Sequence, residues 1–171
     1  MTVDLDLARV ALKKVTPQVS AAMGGLHAAA VAAAKEAGVE PALLELVRIR
    51  ASQINGCAFC IDMHTKDARA AGEAEHRIYA LNAWAETSFF SPRERAALAL
   101  TEAITLVADG RVPDDVYRAA AEVFTDDEVA ALIWAAVVIN AYNRIAINGW
   151  NRLSIGFRTE VGKYQPRAKA A

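Results

Sequence analysis

Two cysteines in 171 residues are too few for a framework of disulfide staples. The chain also lacks a charge excess of either sign: 19 Lys and Arg stand against 20 Asp and Glu, and the basic residues are scattered, which excludes a basic nucleic-acid groove. No segment of useful length alternates apolar and polar residues as a half-buried strand would. There is no Gly-rich phosphate loop, no G-x-S-x-G elbow and no dinucleotide fingerprint, so those ligand classes and nucleophiles have no anchor here. The longest uninterrupted apolar run is Val129 to Ile139, well short of the roughly 20 residues a bilayer requires. The opening Met1-Thr2-Val3-Asp4-Leu5-Asp6 has no basic stretch leading into an apolar one and does not read as an export signal. These absences predict a soluble, cytoplasmic protein that binds neither nucleic acid nor membrane, whose thiols serve chemistry or metal binding.

What is present is mostly helix. The apolar share is 54%, or about 57% with glycine counted and tyrosine left out, against roughly 45–50% for soluble domains. The excess is largely alanine, the best helix former. Val19, Met23, Leu26 and Ala30 recur at helical spacing over residues 18–37, closed by Gly38. Pro41 suits a first turn, and Leu43, Leu44, Leu46, Val47 and Ile49 carry that helix to Ile54. The next spans about 58 to the Gly72 stop, and a shorter one covers 75–86 with Ile78, Leu81 and Trp84 inward. Ser91-Pro92-Arg93-Glu94 is a capping box opening a helix to about Ala108, Asp114 and Asp115 start another through Phe124, and Thr125-Asp126-Asp127-Glu128 caps a last one reaching Asn148-Gly149. The expected fold is all-α: a single domain over 1–171, a bundle of six to eight helices with its core at about 18–150 and a frayed tail from about Tyr164. The Val129–Ile139 run is apolar all round and calls for burial in the core or in a subunit interface.

Both cysteines fall in one short run, Asn55-Gly56-Cys57-Ala58-Phe59-Cys60-Ile61-Asp62-Met63-His64. Random placement would give this separation on the order of 1% of the time, so the pairing points to chemistry. Asn55-Gly56 is a turn signal, and on the helix that follows Cys57, Cys60 and His64 share one face. A first helical turn stabilises a thiolate through its free N–H groups. His64, one turn beyond Cys60, is placed to take its proton, which favours Cys60 as the attacking sulphur and Cys57 as the resolving one. A third group would orient the histidine. Glu45 is the upstream candidate, set among apolar residues on a helix expected to be buried, where a carboxylate needs a partner; its plainer reading is a solvent-facing residue paired with Arg48 or Arg50.

Glu45, eleven residues, Cys57-x-x-Cys60, three residues, His64: this constellation resembles the signature of the AhpD-like alkylhydroperoxidases, in the carboxymuconolactone decarboxylase superfamily. The surrounding Ser52-Gln53-Ile54-Asn55-Gly56, Thr65-Lys66-Asp67-Ala68-Arg69 and Phe90-Ser91-Pro92-Arg93-Glu94 are similar to that family too, and the resemblance covers roughly residues 20–150. It implies an all-helical fold, a homo-oligomer (trimer or hexamer), and reduction of organic hydroperoxides with no bound cofactor. It further implies that Cys60 is peroxidatic, that Cys57 resolves, that Glu45 and His64 relay the proton through a water, and that an external dithiol, of the lipoyl type in relatives, restores the thiols. The chain departs from the best-known members in carrying Phe59 where they have a histidine, which predicts slower turnover or a different reductant.

Three other readings stay open at this level. The thiols can be inert and packed like small apolar side chains; they can signal by their disulfide state in a redox-sensing or disulfide-exchanging helical oligomer; or Cys57, Cys60, His64 and Glu45 can hold zinc, although structural zinc sites ordinarily recruit a second ligand pair, absent here. Elsewhere, His27 reads as a packed histidine and His76 as an exposed one, while Ser52 reads as supporting the thiol loop through a hydrogen bond. Asn140, Asn143 and Arg144 read as an interface face, and Trp84, Trp134 and Trp150 as core or interface aromatics.

Overall fold

The computed structural model describes residues 9–149; Trp150 and the expected frayed tail lie outside them. Among the described residues there is no strand. The elements are α1 (Leu12–Val15), α2 (Pro17–Glu36), α3 (Pro41–Asn55), α4 (Ala58–Ala70), α5 (Glu75–Ala80), a 3-10 helix (Leu81–Glu86), α6 (Pro92–Thr105), α7 (Asp114–Ala121) and α8 (Asp126–Gly149). The all-α bundle expected from the sequence is the fold observed.

α3 is the hub: it packs against α4, α6 and α8, while α2 lies along α8. Its apolar residues divide between two cores. Leu43, Leu44 and Val47 join Ala97, Leu100, Leu132 and Ala136, whereas Leu46 and Ile49 join Ile78, Leu81, Phe90 and Leu98. A third, smaller cluster wraps the thiols with Ala51, Phe59, Ile139 and Ala146. α8 is long and apolar enough by length and composition to cross a membrane; here its Leu132, Ala136, Ile139 and Asn143 are buried among the other helices.

Both capping boxes form. Glu94 N–H donates to Ser91 Oγ while Ser91 N–H donates to Glu94 Oε2, and Thr125 and Glu128 exchange the same pair. The boundaries differ in three places. The helix expected over 75–86 divides, tightening to 3-10 at Leu81 with a break at Ala83. In a 3-10 turn residues i and i+3 eclipse, so Leu81 and Trp84 face the same core, and Trp84 Nε1 reaches Glu102 Oε1 at 2.6 Å. α6 stops at Thr105 because the next residues, Leu106 and Val107, are exposed and gain nothing from continuing the helix. α7 stops at Ala121, and Phe124 turns inward beneath the Arg93 guanidinium, 4.2 Å from its ring centroid.

The turn from α3 into α4 places the thiols. Gly56 adopts φ 65°, ψ 32°, and the Gly56 and Cys57 N–H groups return to the carbonyls of Gln53 and Ser52 at 3.2 and 3.0 Å. This is a Schellman closure, with glycine in the left-handed position that other residues enter only at a cost. A Cβ on Gly56 would meet nothing within 4 Å, so that cost is purely conformational. Gly56→Ala should therefore lower stability by about 1–2 kcal/mol with the helical spectrum retained, and Gly56→Asn should recover part of the loss. Urea denaturation midpoints check this; an unchanged midpoint for the alanine variant would show that the turn is not under backbone constraint.

Candidate active site

α3 and α4 hold the predicted residues on facing surfaces. Glu45 stands on α3 between buried leucines and turns its carboxylate toward α4, where Glu45 Oε2 lies 2.8 Å from His64 Nδ1. Its other oxygen accepts from Arg48 Nη1 at 2.5 Å. Glu45 is not solvent-facing, its side chain being 14% exposed, yet it does pair with Arg48, so one side chain meets both the histidine and an arginine. Burial works to raise the Glu45 pKa, but the hydrogen bond from His64 and the Arg48 charge outweigh it and hold the carboxyl below its ordinary value. The imidazole, 6% exposed, is locked in orientation by this bond.

Cys57 and Cys60 are 1% and 2% exposed, and both are free thiols. Cys57 is the N-cap of α4, and the two sulphurs are 2.8 Å apart. When one of the two thiol protons is lost, one negative charge is left to be placed. Cys57 takes it: the hydrogen bond from Cys60 lowers its pKa most, burial opposes, and the backbone N–H groups of Cys60 and Phe59 together with the Asn143 carboxamide bring the thiol down to about 7. Cys60 is pushed up, first by donating to Cys57, then by burial and by the Cys57 charge.

Access runs the other way. A cavity of about 230 Å³ reaches Cys60, with Glu45, His64, Arg48 and Asp67 on its polar side and Ala30, Val31, Leu44, Phe59, Val138 and Ile139 on its apolar side. Cys57 lies behind Cys60, outside the lining. No hydrogen bond joins His64 directly to either sulphur among the contacts these residues make. Phe59 forms part of the cavity wall next to Cys60.

Glu45, His64 and Asp67 bring donor atoms within 4.8 Å of one another, an oxygen–nitrogen–oxygen set able to hold a divalent cation. Among the described residues the thiols do not belong to that set, so the four-ligand zinc site of Cys57, Cys60, His64 and Glu45 is not assembled.

Several residues outside the predicted set reach this region. His27 of α2 lines the cavity and meets the Tyr142 ring edge-on, with centroids 5.7 Å apart; it had read as merely packed. His76 is exposed as expected, against Phe89. The Ser52 hydroxyl does not bond the thiol loop: it donates back within α3 to Arg48 O at 2.7 Å and accepts from Asn143 Nδ2, while the Ser52 carbonyl accepts from Cys57 N–H. Asn143 had read as an interface residue and is instead fully buried, bonded to Ser52 and Asn55 of α3. Its place on the apolar face of α8 was the available signal: an amide at a core position must be satisfied by something specific.

Fold and site together define a helical protein with a buried dithiol at the head of a helix and a carboxylate–imidazole pair sharing its cavity. Residues 17–103 match the carboxymuconolactone decarboxylase family, and the chain belongs to that family, with the AhpD-like arrangement of residues. It is similar to the uncharacterized protein YdfG of Bacillus subtilis (strain 168), 49% identical over 118 residues that span 69% of this chain and 80% of that one. It is also similar to the crystal structure of Agrobacterium tumefaciens ATU0492, a protein of unknown function put forward as an antioxidant defence protein AhpD. That likeness has a TM-score of 0.75 and 33% identity, covering 90% of this chain and 97% of the other.

The geometry makes a spectroscopic prediction. Thiolate absorbance of the reduced protein near 240 nm should rise with a midpoint at about 7 for one thiol per chain, leaving the second protonated well above that pH. No rise below the ordinary cysteine range, about 8.5, would contradict the assignment of the charge to a stabilised pair.

Proposed function

We propose that this protein is a dithiol-dependent peroxidase that reduces organic hydroperoxides. The observation that carries the reading is the cavity on which Cys60 and the Glu45–His64 pair open together, with the Cys57 sulphur 2.8 Å behind Cys60. The proton of Cys60 passes to Cys57 across that contact, and the Cys60 thiolate attacks the terminal oxygen of R–OOH. The O–O bond breaks, Cys60 becomes a sulphenic acid, and the departing alkoxide takes a proton relayed from His64 and Glu45 through a water. Cys57 then attacks Cys60 sulphur, releasing water and leaving a disulfide. An external dithiol, for which a lipoyl-type carrier is the reading taken from relatives, returns the two electrons. Two free thiols, one of them reached by the cavity, fit a reducing, cytoplasmic setting.

The test is steady-state consumption of an organic hydroperoxide with excess dithiol. Cys60→Ser should abolish it, while Cys57→Ser should leave one stoichiometric turnover with the sulphenic acid on Cys60. Glu45→Gln and His64→Ala should each slow the rate about 10²–10⁴-fold, the usual range for a positioned acid–base group, without loss of helix. Near-wild-type turnover in either would remove that residue from the relay. A second reading, a redox-sensing or disulfide-exchanging oligomer, draws on Phe59: with an apolar wall beside Cys60 in place of an acid–base group, disulfide exchange would outlast peroxide turnover. Only the peroxidase consumes hydroperoxide repeatedly.

The homo-oligomer, a trimer or a dimer of trimers by family resemblance, belongs to this proposal. The Val129–Ile139 segment is not buried all round: Trp134 is 47% exposed and Val137 39%, and on α2 Val19, Leu26 and Val31 are exposed as well. Ile139, at the end of that run, packs in the thiol cluster, so a charge there tests folding and not assembly. Trp134→Asp should dissociate the assembly at micromolar concentration while each chain stays helical, as read by light scattering. A wild-type mass of 18.3 kDa would defeat this part and leave the thiol chemistry standing.

A further inference from the structure

Glu45, His64 and Asp67 form one polar end of the cavity, and they offer more than a proton relay uses. His64 and Asp67 stand one turn apart on one face of α4, and Glu45 meets them from α3. Donor atoms of the three lie within 4.8 Å of one another, so small side-chain rotations bring them around a single ion. The side chains of His64 and Glu45 are 8% and 14% exposed, and Asp67 is half-buried, which separates this group from a cluster of solvated surface acids.

The imidazole supplies an observation independent of that spacing. Its Nδ1 is engaged by Glu45 Oε2. Among the described residues no sealed side-chain nitrogen or oxygen lacks a hydrogen-bond partner. Nε2 makes no hydrogen bond, so it is not sealed: it opens on the cavity that His64 lines. A buried ring oriented by a carboxylate at one nitrogen and open at the other is the arrangement in which histidine binds metal. The two oxygens of Glu45 have about four lone-pair sites between them, enough to keep Arg48 and His64 and still face an ion. Two carboxylates against the single Arg48 charge leave the group net negative with a neutral imidazole. The other polar groups lining the cavity are His27 on α2, Cys60 on α4 and Tyr142 on α8, none of which carries a fixed positive charge.

We propose that Glu45, His64 and Asp67 are a binding site for a borderline divalent cation of the zinc type, and that its occupancy switches the thiol cavity off. An imidazole among the donors disfavours magnesium and calcium, which take oxygen ligands. Three protein ligands suffice for zinc, with water completing the shell. The switching half rests on the peroxidase reading above: an ion on His64 and Glu45 holds the lone pairs that the relay needs for its proton.

Cobalt(II), a spectroscopic stand-in for zinc, tests the site on the full-length Cys57→Ser/Cys60→Ser variant, where no thiol competes. One cobalt per chain should bind at micromolar concentration, with visible d–d bands and no thiolate charge-transfer band. In that background Asp67→Asn and His64→Ala should each weaken binding by more than the roughly 10–100-fold that losing an outer-shell partner costs, while Asp67→His, which substitutes one ligand type for another, should retain it. Should His64→Ala fail to fold, the near-isosteric Asp67→Asn decides. No cobalt on the thiol-free chain, or binding indifferent to Asp67 and His64, would overturn the site. With the thiols present, zinc should suppress hydroperoxide consumption, a chelator should restore it, and Asp67→Asn should raise the zinc concentration required. Inhibition insensitive to Asp67→Asn would put the zinc on the sulphurs and overturn the switch. Cobalt binding that follows Asp67 in a protein that reduces no hydroperoxide would leave the site standing and defeat the peroxidase reading alone.

Discussion

The Schellman closure at Gly56 is the constraint on which the site depends. By ending α3 in the left-handed region and returning the Cys57 N–H to Ser52, it reverses the chain within one residue and starts α4 on a cysteine. Cys57 is thereby given to the N–H groups of the first turn, while Cys60, one turn on, faces the cavity. The reversal also lays α4 against α3, which lets an acid from the middle of one helix meet an imidazole from the middle of the next. Thiol acidity, sulphur–sulphur contact and the Glu45–His64 pair follow from one turn.

The two sulphurs divide labour by environment. The hydrogen bond from Cys60, aided by helix-end N–H groups, favours charge on Cys57, while the cavity reaches Cys60. These are not competing claims about one nucleophile. A dithiol monoanion 2.8 Å across titrates as a unit, and a proton moved over that distance puts the charge on the sulphur that faces the cavity. Spacing alone could suggest that His64 draws the proton from Cys60 directly. The structure gives His64 to Glu45 instead, so under the proposed reading its part is to hold and pass a proton within the cavity.

Much of this was legible in the sequence because its signals are local. Capping boxes, a proline at a first turn and an Asn-Gly turn each act within a few residues, and all of them form. The Glu45–Cys57–Cys60–His64 spacing was legible for the same reason: two helices and one tight turn leave little freedom in where those side chains meet. What escaped was set by partners distant in sequence. Helix ends at Thr105 and Ala121 depend on where the core runs out, and the 3-10 turn at Leu81 depends on Glu102 and the α6 surface. Asn143 was visible as a polar residue on an apolar helix, but its partners Ser52 and Asn55 are about ninety residues away, so periodicity could place it inward without saying what it touches.

The central claim is that Cys57 and Cys60 act together as a two-electron reductant of hydroperoxides. Mass spectrometry of the fully reduced protein, titrated with an organic hydroperoxide in the absence of any other reductant, tests it most directly. The account predicts one hydroperoxide consumed per chain, the loss of two hydrogens, and a peptide map in which Cys57 is linked to Cys60 with the alcohol as the only organic product. Thiols that persist in the presence of excess hydroperoxide, or oxygen accumulating on one sulphur with no bond to the other, would contradict it.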